Sequence, residues 1–337
     1  MKYWICAALP LFLATCGQKE GALLAPDVIT QPVKHDTDDP AIWVNTDDPA
    51  GSIVFGTDKD TDGAVYAFNL QGEVLEDKVV RQVERPNNVD VEYGFLYRGD
   101  TLDILAFTER ERQMLRVFSV PDMQMLDGGG IPVFEGEPQG DYRLPMGIGL
   151  YRQPGTDKVY AIVGRKNGPA DGTYLWQYAL SADSTGLQAR LVRKFGAFSG
   201  LKEIEAIAVD DEAGYVYYSD EGAGIRKYFA APEKGSAQQA FFGASGFAED
   251  MEGIAILPTG PGQGYIFVSD QQAQAVRVFS RAAPHAFIKS IPYQAIHTDG
   301  LEVSAFSFGG LFPQGLLVAM SEDKTFHYYS VARLGLE

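Results

Sequence analysis

The chain has 337 residues, of which 45% are hydrophobic, and this is enough to build a sizeable core in one large domain or two ordinary ones. Its 45 acidic side chains outnumber the 28 basic ones and leave a formal net charge of −17, which argues against nucleic acid as a partner. The 37 Gly, 20 Phe and 17 Tyr residues are typical of many strands joined by tight turns.

The first residues resemble an export signal. Lys2 supplies one positive charge, and residues 3–14 are mostly apolar but too few to span a bilayer as a mature helix. Residues 13–16, LATC, resemble a bacterial lipobox in which Cys16 would be lipidated, although Thr15 departs from the usual Gly or Ala. Ordinary cleavage and free secretion therefore remain open.

These observations set the predicted domain boundaries. Residues 1–16 form the signal peptide, residues 17–26 a tether, and residues 27–337 a single domain. Cys6 and Cys16 are the only cysteines, so the mature domain has no internal disulfide framework. We expect an exported protein, either a periplasmic or outer-membrane lipoprotein or a secreted one. We also expect a monomer that touches a membrane only through a lipid anchor.

The first acidic cluster lies in residues 36–44, DTDDPAIWV. Its carboxylates lead into Pro40 and an apolar segment, so charge is concentrated where a strand begins. Carboxylate oxygens suit Ca²⁺ or Mg²⁺, and the chain beyond Cys16 has no Cys for a softer metal. Taken alone, such a cluster is more typical of a solvated turn.

The same pattern recurs along the chain. An apolar strand that ends in a small or hydroxyl residue appears six times, at steps of 50 to 56 residues. The final residues of these strands are Thr57, Thr108, Gly164, Ser219, Ser269 and Ser321. An alternating strand follows most of them, for example residues 64–68, AVYAF. A repeat near 50 residues with three or four strands per unit predicts an all-β fold, a six-bladed β-propeller covering residues 27–337.

A second element begins 14 to 19 residues before each of these final residues, and in five of six cases it begins with an acid. The acids are Asp39, Asp90, Glu205, Glu252 and Glu302, and Met146 is the exception. In a propeller the first strand of each blade lines the central channel and the second strand returns to the same face. We therefore expect these acids to meet Lys59, Arg110 and Arg165 at one mouth of the channel. The competing interpretation is that the acids only satisfy turns.

Residues 36–43, DTDDPAIW, together with residues 87–93, NNVDVEY, resemble the paired motifs of the β-propeller phytases. The segments DMEG at 250–253 and HTDG at 297–300 lie where that family has its later acidic motifs. The resemblance covers the chain from about residue 28 to its C-terminus. It implies a calcium-dependent, 3-phytase-like enzyme. Such an enzyme hydrolyses phytate (myo-inositol hexakisphosphate) to lower inositol phosphates and phosphate by attack of a metal-bridged water.

The resemblance also implies roles for individual residues. Ligands of several Ca²⁺ ions would be Asp38, Asp39, Asn88, Asp90, Glu205, Asp220, Asp250, Glu252, Asp299 and Gln271. Catalysis is assigned to Asp38, Glu205, Glu252 and Asp299, and phosphate binding to Lys59, Arg110 and Arg165. The substrate would bind as its calcium complex, since a carboxylate site repels a polyphosphate unless a cation offsets the charge.

Four residues depart from the family pattern. Met146 replaces a Tyr whose hydroxyl could bind phosphate, and His35 stands where many relatives have an acid, next to Asp36. Arg165 and Lys166 replace a Lys-Glu pair, which keeps a cation but removes a metal ligand. Lys166 is either an additional phosphate contact or an exposed turn residue.

Two other functions remain open. One is another calcium-dependent propeller hydrolase, such as a lactonase or gluconolactonase-like enzyme, which does not need Lys59, Arg110 and Arg165 at the same mouth. The other is a non-catalytic propeller that calcium stabilises and that binds a partner. This function predicts no cleft of mixed acids and cations.

Overall fold

The computed structural model describes residues 22–336, and in that range the chain forms 24 β-strands, five short 3₁₀ turns and no α-helix. The strands pair antiparallel in six four-stranded sheets, the blades of a propeller. The predicted signal peptide and residues 17–21 of the predicted tether lie outside the described residues. Between residues 22 and 336 no helix has the length and apolar character needed to cross a membrane.

The first three blades occupy the N-terminal half. Blade 1 contains β2 (Thr37–Trp43), β3 (Ile53–Asp58), β4 (Gly63–Phe68) and β5 (Val80–Val83). Blade 2 contains β6 (Pro86–Tyr97), β7 (Asp100–Glu109), β8 (Met114–Val120) and β9 (Ile131–Pro132). Blade 3 contains β10 (Pro145–Arg152), β11 (Val159–Arg165), β12 (Leu175–Asp183) and β13 (Gly186–Phe195).

The other three blades follow in order. Blade 4 contains β14 (Ile207–Asp210), β15 (Tyr215–Asp220), β16 (Gly224–Phe229) and β17 (Gln238–Phe242). Blade 5 contains β18 (Ile254–Gly260), β19 (Gln263–Asp270), β20 (Ala275–Ser280) and β21 (Phe287–Pro292). Blade 6 contains β22 (Leu301–Ser304), β23 (Leu316–Ser321), β24 (Thr325–Ser330) and β1 (Val28–Ile29). The 3₁₀ turns are Pro49–Gly51, Glu76–Lys78, Asp141–Arg143, Pro232–Lys234 and Val331–Arg333.

The ring closes because the N-terminal strand completes the last blade. Val28 pairs with Tyr328 and Ile29 with His327, so β1 is the outermost strand of blade 6. The Thr30 hydroxyl accepts a hydrogen bond from the Phe326 amide at 2.9 Å. The two ends of the domain are thereby held together, because blade 6 contains strands from both of them.

The core consists of six apolar clusters, each shared by two neighbouring blades. One example joins blades 6 and 1 and includes Val54, Phe68, Val318 and Phe326, all fully buried. A strand such as β3 or β23 is covered on both faces, which explains its continuous apolar sequence. The inner strands β2, β6, β10, β14, β18 and β22 contact one another in this order, and β22 contacts β2. They surround a central channel, and the predicted six-bladed fold is confirmed.

Candidate active site

One ring of side chains at a mouth of the channel comes from the residues that lead into the inner strands. Continuous pairing of the inner with the second strand begins at Pro40, Val89, Ile148, Ile207, Ile254 and Leu301. The residues two positions earlier are Asp38, Asn87, Met146, Glu205, Glu252 and Asp299, which we call the inner ring. The six blades therefore contribute four carboxylates, one amide and one thioether at equivalent positions.

A second ring follows the ends of the second strands. The residues directly after β3, β7, β11, β15, β19 and β23 are Lys59, Arg110, Lys166, Glu221, Gln271 and Glu322, which we call the outer ring. Successive side chains along a strand point to opposite sides. The last residues of these strands, such as Asp58 and Glu109, are accordingly buried in the blades. The next residue is then free to face the inner ring.

Contacts between the two rings define the site. The Lys59 ammonium lies 2.5 Å from Asp38 Oδ1 and 3.2 Å from Asp299 Oδ2. Gln271 Nε2 donates to Asp299 Oδ1 at 2.5 Å. Lys59 therefore links the two carboxylates on either side of the boundary between blades 6 and 1.

Arg110 reaches the other side of the mouth. Its guanidinium donates to the Asn87 side-chain oxygen, and its Nη2 lies 3.9 Å from Glu205 Oε1. The Asn87 amide in turn donates to Glu205 Oε1. A Cβ on Gly147 would lie 1.8 Å from the Glu205 carbonyl oxygen, so only glycine permits this close approach of blades 3 and 4.

Three carboxylates form the densest part of the site. One oxygen from each of Glu205, Glu221 and Glu252 lies within 4.8 Å of the other two. Glu221 Oε1 and Asp38 Oδ2 are buried and accept no hydrogen bond. Carboxylate oxygens are the preferred ligands of Ca²⁺, and buried acceptors without a donor leave room for such a ligand bond. The donor set therefore fits a hard divalent cation.

Burial and charge repulsion raise the pKa of two of these acids, Glu221 and Glu252. Burial, followed by the charges of Glu205 and Glu203, raises the pKa of Glu221 to about 9. Burial and the neighbouring Glu221 hold the pKa of Glu252 well above its ordinary value. Burial alone would lower the pKa of Lys59, but Asp38 and other site acids raise it. A divalent cation at these acids would displace their protons.

The structure does not place Arg165 at the mouth, contrary to the prediction. Its side chain is fully buried, its Nη1 lies 2.9 Å from Glu137 Oε2, and its guanidinium carbon lies 4.9 Å from the centre of the Phe134 ring. It is the last residue of β11, so it points into the blade. Lys166, the next residue, lines the mouth and pairs with Glu203 at 2.9 Å.

Asp220 also lies inside a blade and not at the mouth, because it too is the last residue of its strand. It ends β15, is fully buried, and accepts hydrogen bonds from the amide and hydroxyl of Ser199. It also pairs with Arg226 at 2.7 Å. Its side chain therefore fixes the loop before β14, and Glu221 takes the place at the mouth that was predicted for Asp220.

Asp39, Asn88 and Asp90 lie deeper in the channel. Together with Glu302 they line a cavity of about 90 Å³. Asp39 Oδ2 accepts from the Val89 amide at 3.1 Å, and the Asp90 oxygens accept from the Val91 and Leu150 amides at 2.7 Å. Burial raises the pKa of Asp90 to about 7. The expected convergence of Asp39, Asp90 and Glu302 with Glu205 and Glu252 at the mouth is thus wrong, because the inner strands are aligned differently than the sequence pattern suggested.

The remaining predicted residues do meet. The structure brings Asp38, Lys59, Arg110, Glu205, Glu252, Gln271 and Asp299 to one mouth, with Asp250 at its edge. Sequence reasoning missed Asn87 and Glu221. Both could have been found by applying one offset to all blades, because Glu221 follows its strand as Lys59 and Arg110 follow theirs. Met146, in contrast, is buried and offers only its carbonyl oxygen, which accepts from the Thr108 hydroxyl at 2.5 Å.

The fold and this mouth together define a six-bladed β-propeller with a carboxylate site, flanked by cations, at one end of its channel. A model of the phytase family matches residues 6–331, so the chain belongs to the phytase family, a family of phytate hydrolases. It is 27% identical over 302 residues to the 3-phytase of Bacillus subtilis (strain 168), covering 85% of this chain and 74% of that protein.

Solved structures support the fold. The WD40 β-propeller domain of Doa1 superposes with a TM-score of 0.50 at 16% identity, covering 91% of this chain and 97% of that one. At this identity the similarity concerns the propeller architecture and not the chemistry of the mouth.

Proposed function

We propose that this protein is a calcium-dependent phosphomonoesterase that hydrolyses phytate at the mouth formed by the inner and outer rings. The observation that carries the proposal is the cluster of Glu205, Glu221 and Glu252, with oxygens within 4.8 Å of one another, beside Lys59 and Arg110. A site of acids alone would repel a polyphosphate, and a site of cations alone would not hold a divalent metal. The mixture suits a substrate that carries phosphate groups together with cations.

The carboxylates would hold the metal. Glu205, Glu221 and Glu252 offer one group of ligands, and Asp38 and Asp299 offer another. When bound, calcium offsets the charge of the acids and phosphates and acidifies water at the site. Each of these carboxylates has two oxygens, and an oxygen that does not contact the cation can accept the proton that the attacking water loses when its oxygen bonds to phosphorus. The phosphorus–oxygen bond to the inositol breaks, and the inositol oxygen takes up a proton.

The cations of the outer ring would hold the phosphates. Lys59 and Arg110 flank the acids on two sides, and both side chains are mostly buried, so each phosphate contact would be made in a poorly hydrated site. Lys166 supplies the cation that was expected from Arg165, since it lines the mouth with Glu221 and Glu252. A phosphate group of the substrate can replace Glu203 as the ion-pair partner of Lys166.

The N-terminal segment supports a proposal about location. Residues 1–16 have the features of an export signal, with Cys16 in a lipobox-like context. We propose a periplasmic or outer-membrane lipoprotein, or a secreted protein, that acts as a monomer on the calcium complex of phytate. Intact mass measured on protein from membranes and from medium distinguishes a lipidated Cys16 from a cleaved, free N-terminus.

The activity is tested by phosphate release from phytate with calcium and with chelator. A simple phosphomonoester and a lactone serve as parallel substrates. We expect release from phytate only with calcium. Hydrolysis of the lactone alone would identify the lactonase-like alternative, and inactivity on all three with calcium-dependent stability would identify the binding propeller.

A further inference from the structure

One cation at the mouth belongs to neither ring. Lys202 lies in the loop between β13 and β14 and lines a pocket of about 440 Å³ that also includes Glu221 and Glu252. Its ammonium group contacts Asp250 Oδ1. The pocket therefore contains a lysine next to Asp250, which the resemblance to the β-propeller phytases implied as a calcium ligand.

The partner of Lys202 is held in place from its other side. Asp250 Oδ2 accepts from Gln272 Nε2 at 2.8 Å, and the Asp250 amide donates to Gln272 Oε1 at 2.8 Å. The side chain of Asp250 is only 15% exposed. Both carboxylate oxygens thus have donors, unlike Glu221 Oε1, which is buried and has none.

The loop that carries Lys202 is also fixed. Asp220 accepts from the amide of Ser199 at 3.0 Å and from its hydroxyl at 2.7 Å, and Gly200 has a φ of +75°, which favours glycine. Glu205, three residues after Lys202, leads into β14. The backbone at Lys202 is therefore held between two anchored points, so less loop entropy is lost when its side chain, which is 44% exposed, pairs with Asp250.

We propose that the Lys202 ammonium is a built-in counter-ion that takes the place of a divalent cation at Asp250. This role of Lys202 rests on one part of the proposed function, the binding of calcium at the mouth. It follows that Asp250 is not a metal ligand in this protein, and that calcium binds at Glu205, Glu221 and Glu252 without it. Removing the ammonium group leaves Asp250 with a free oxygen in the pocket that Glu221 and Glu252 also line, so a further calcium ion can bind there with water as its remaining ligands.

The test is calorimetric titration of chelator-treated protein with Ca²⁺, which counts ions without turnover. We expect Lys202→Met to bind one more calcium per chain than the wild type. Lys202→Arg keeps the charge and should keep the wild-type number. The double variant Lys202→Met with Asp250→Asn should return to the wild-type number. Lys34→Met removes an ammonium from an exposed pair with Asp62 and serves as the matched control, with no added ion.

Two outcomes would overturn the proposal. One is an unchanged number of calcium ions in both Lys202→Met and a second neutral variant, Lys202→Gln. The other is an additional ion that persists when Asp250 is also replaced. Absence of phytate hydrolysis in the wild type and all variants would instead count against the proposed function. The number of bound calcium ions would still test the role of Lys202.

Discussion

Replacing Glu221 by Gln should stabilise the cation-free protein at neutral pH. The buried carboxyl has a pKa of about 9, against an ordinary value of 4.5 in the unfolded chain. Between these two values the folded protein keeps a proton that the unfolded chain releases, so the free energy of unfolding falls as the pH rises. At pH 7, which is about 2.5 pH units above 4.5, this proton uptake lowers the free energy of unfolding by about 3 kcal/mol, at ~1.36 kcal/mol per pH unit. Gln cannot titrate, so the variant avoids this cost.

The assay is urea unfolding in chelator at pH 7 and at pH 4. We expect Glu221→Gln to raise the free energy of unfolding by about 3 kcal/mol at pH 7 and by little at pH 4, where both states are protonated. With saturating calcium the order should reverse, because the wild type has one more ligand for the cation. Glu322→Gln alters the equivalent position of blade 6, where the side chain is 61% exposed, and should change stability by less than about 0.5 kcal/mol. A gain that is absent at pH 7, or equal at both pH values, would refute the reasoning.

Three further predictions concern the same mouth. Lys59→Met should lower kcat/KM for phytate by about 10- to 100-fold, because a charge-assisted contact worth ~1.5–3 kcal/mol is lost; steady-state kinetics that match the wild type would remove Lys59 from the site. Arg165→Met should cost about 3–5 kcal/mol of stability while KM stays constant, because the ion pair of the fully buried Arg165 is lost and Glu137 keeps only its 3.4 Å contact with Lys194. Lys166→Met should show the opposite pattern, a raised KM with little change in the free energy of unfolding. Chelation of calcium should lower Tm by about 4 °C if one site is held at ~100 times its Kd, as scanning calorimetry can measure, and a Tm indifferent to chelator would contradict calcium binding at the mouth.

The sequence was sufficient for the architecture. Strands such as β3 and β23 are buried between neighbouring blades, so their sequences are continuous apolar segments that recur once per blade and can be counted. The same repeat brings residues from distant parts of the chain to one mouth, which is why Lys59 and Asp299 could be predicted as neighbours although 240 positions separate them.

Single positions within the repeat needed the tertiary structure. A side chain changes side with each step along a strand, so an error of one residue exchanges a site residue for a buried one. Arg165 and Lys166 differ in this way, and so do Asp220 and Glu221.

Irregular pairing adds to the difficulty at the start of the inner strands. Register shifts interrupt β2 between Thr37 and Pro40 and β6 between Pro86 and Val89. Each shift adds a residue that simple alternation does not anticipate, and it decides that Asp38 faces the mouth while Asp39 faces the interior of the channel. The sequence by itself therefore determined the six blades and the acidic, cation-flanked character of the site. Only the folded chain decided which of two adjacent side chains reaches it, because a repeat of about 50 residues with variable loops does not specify a one-residue register.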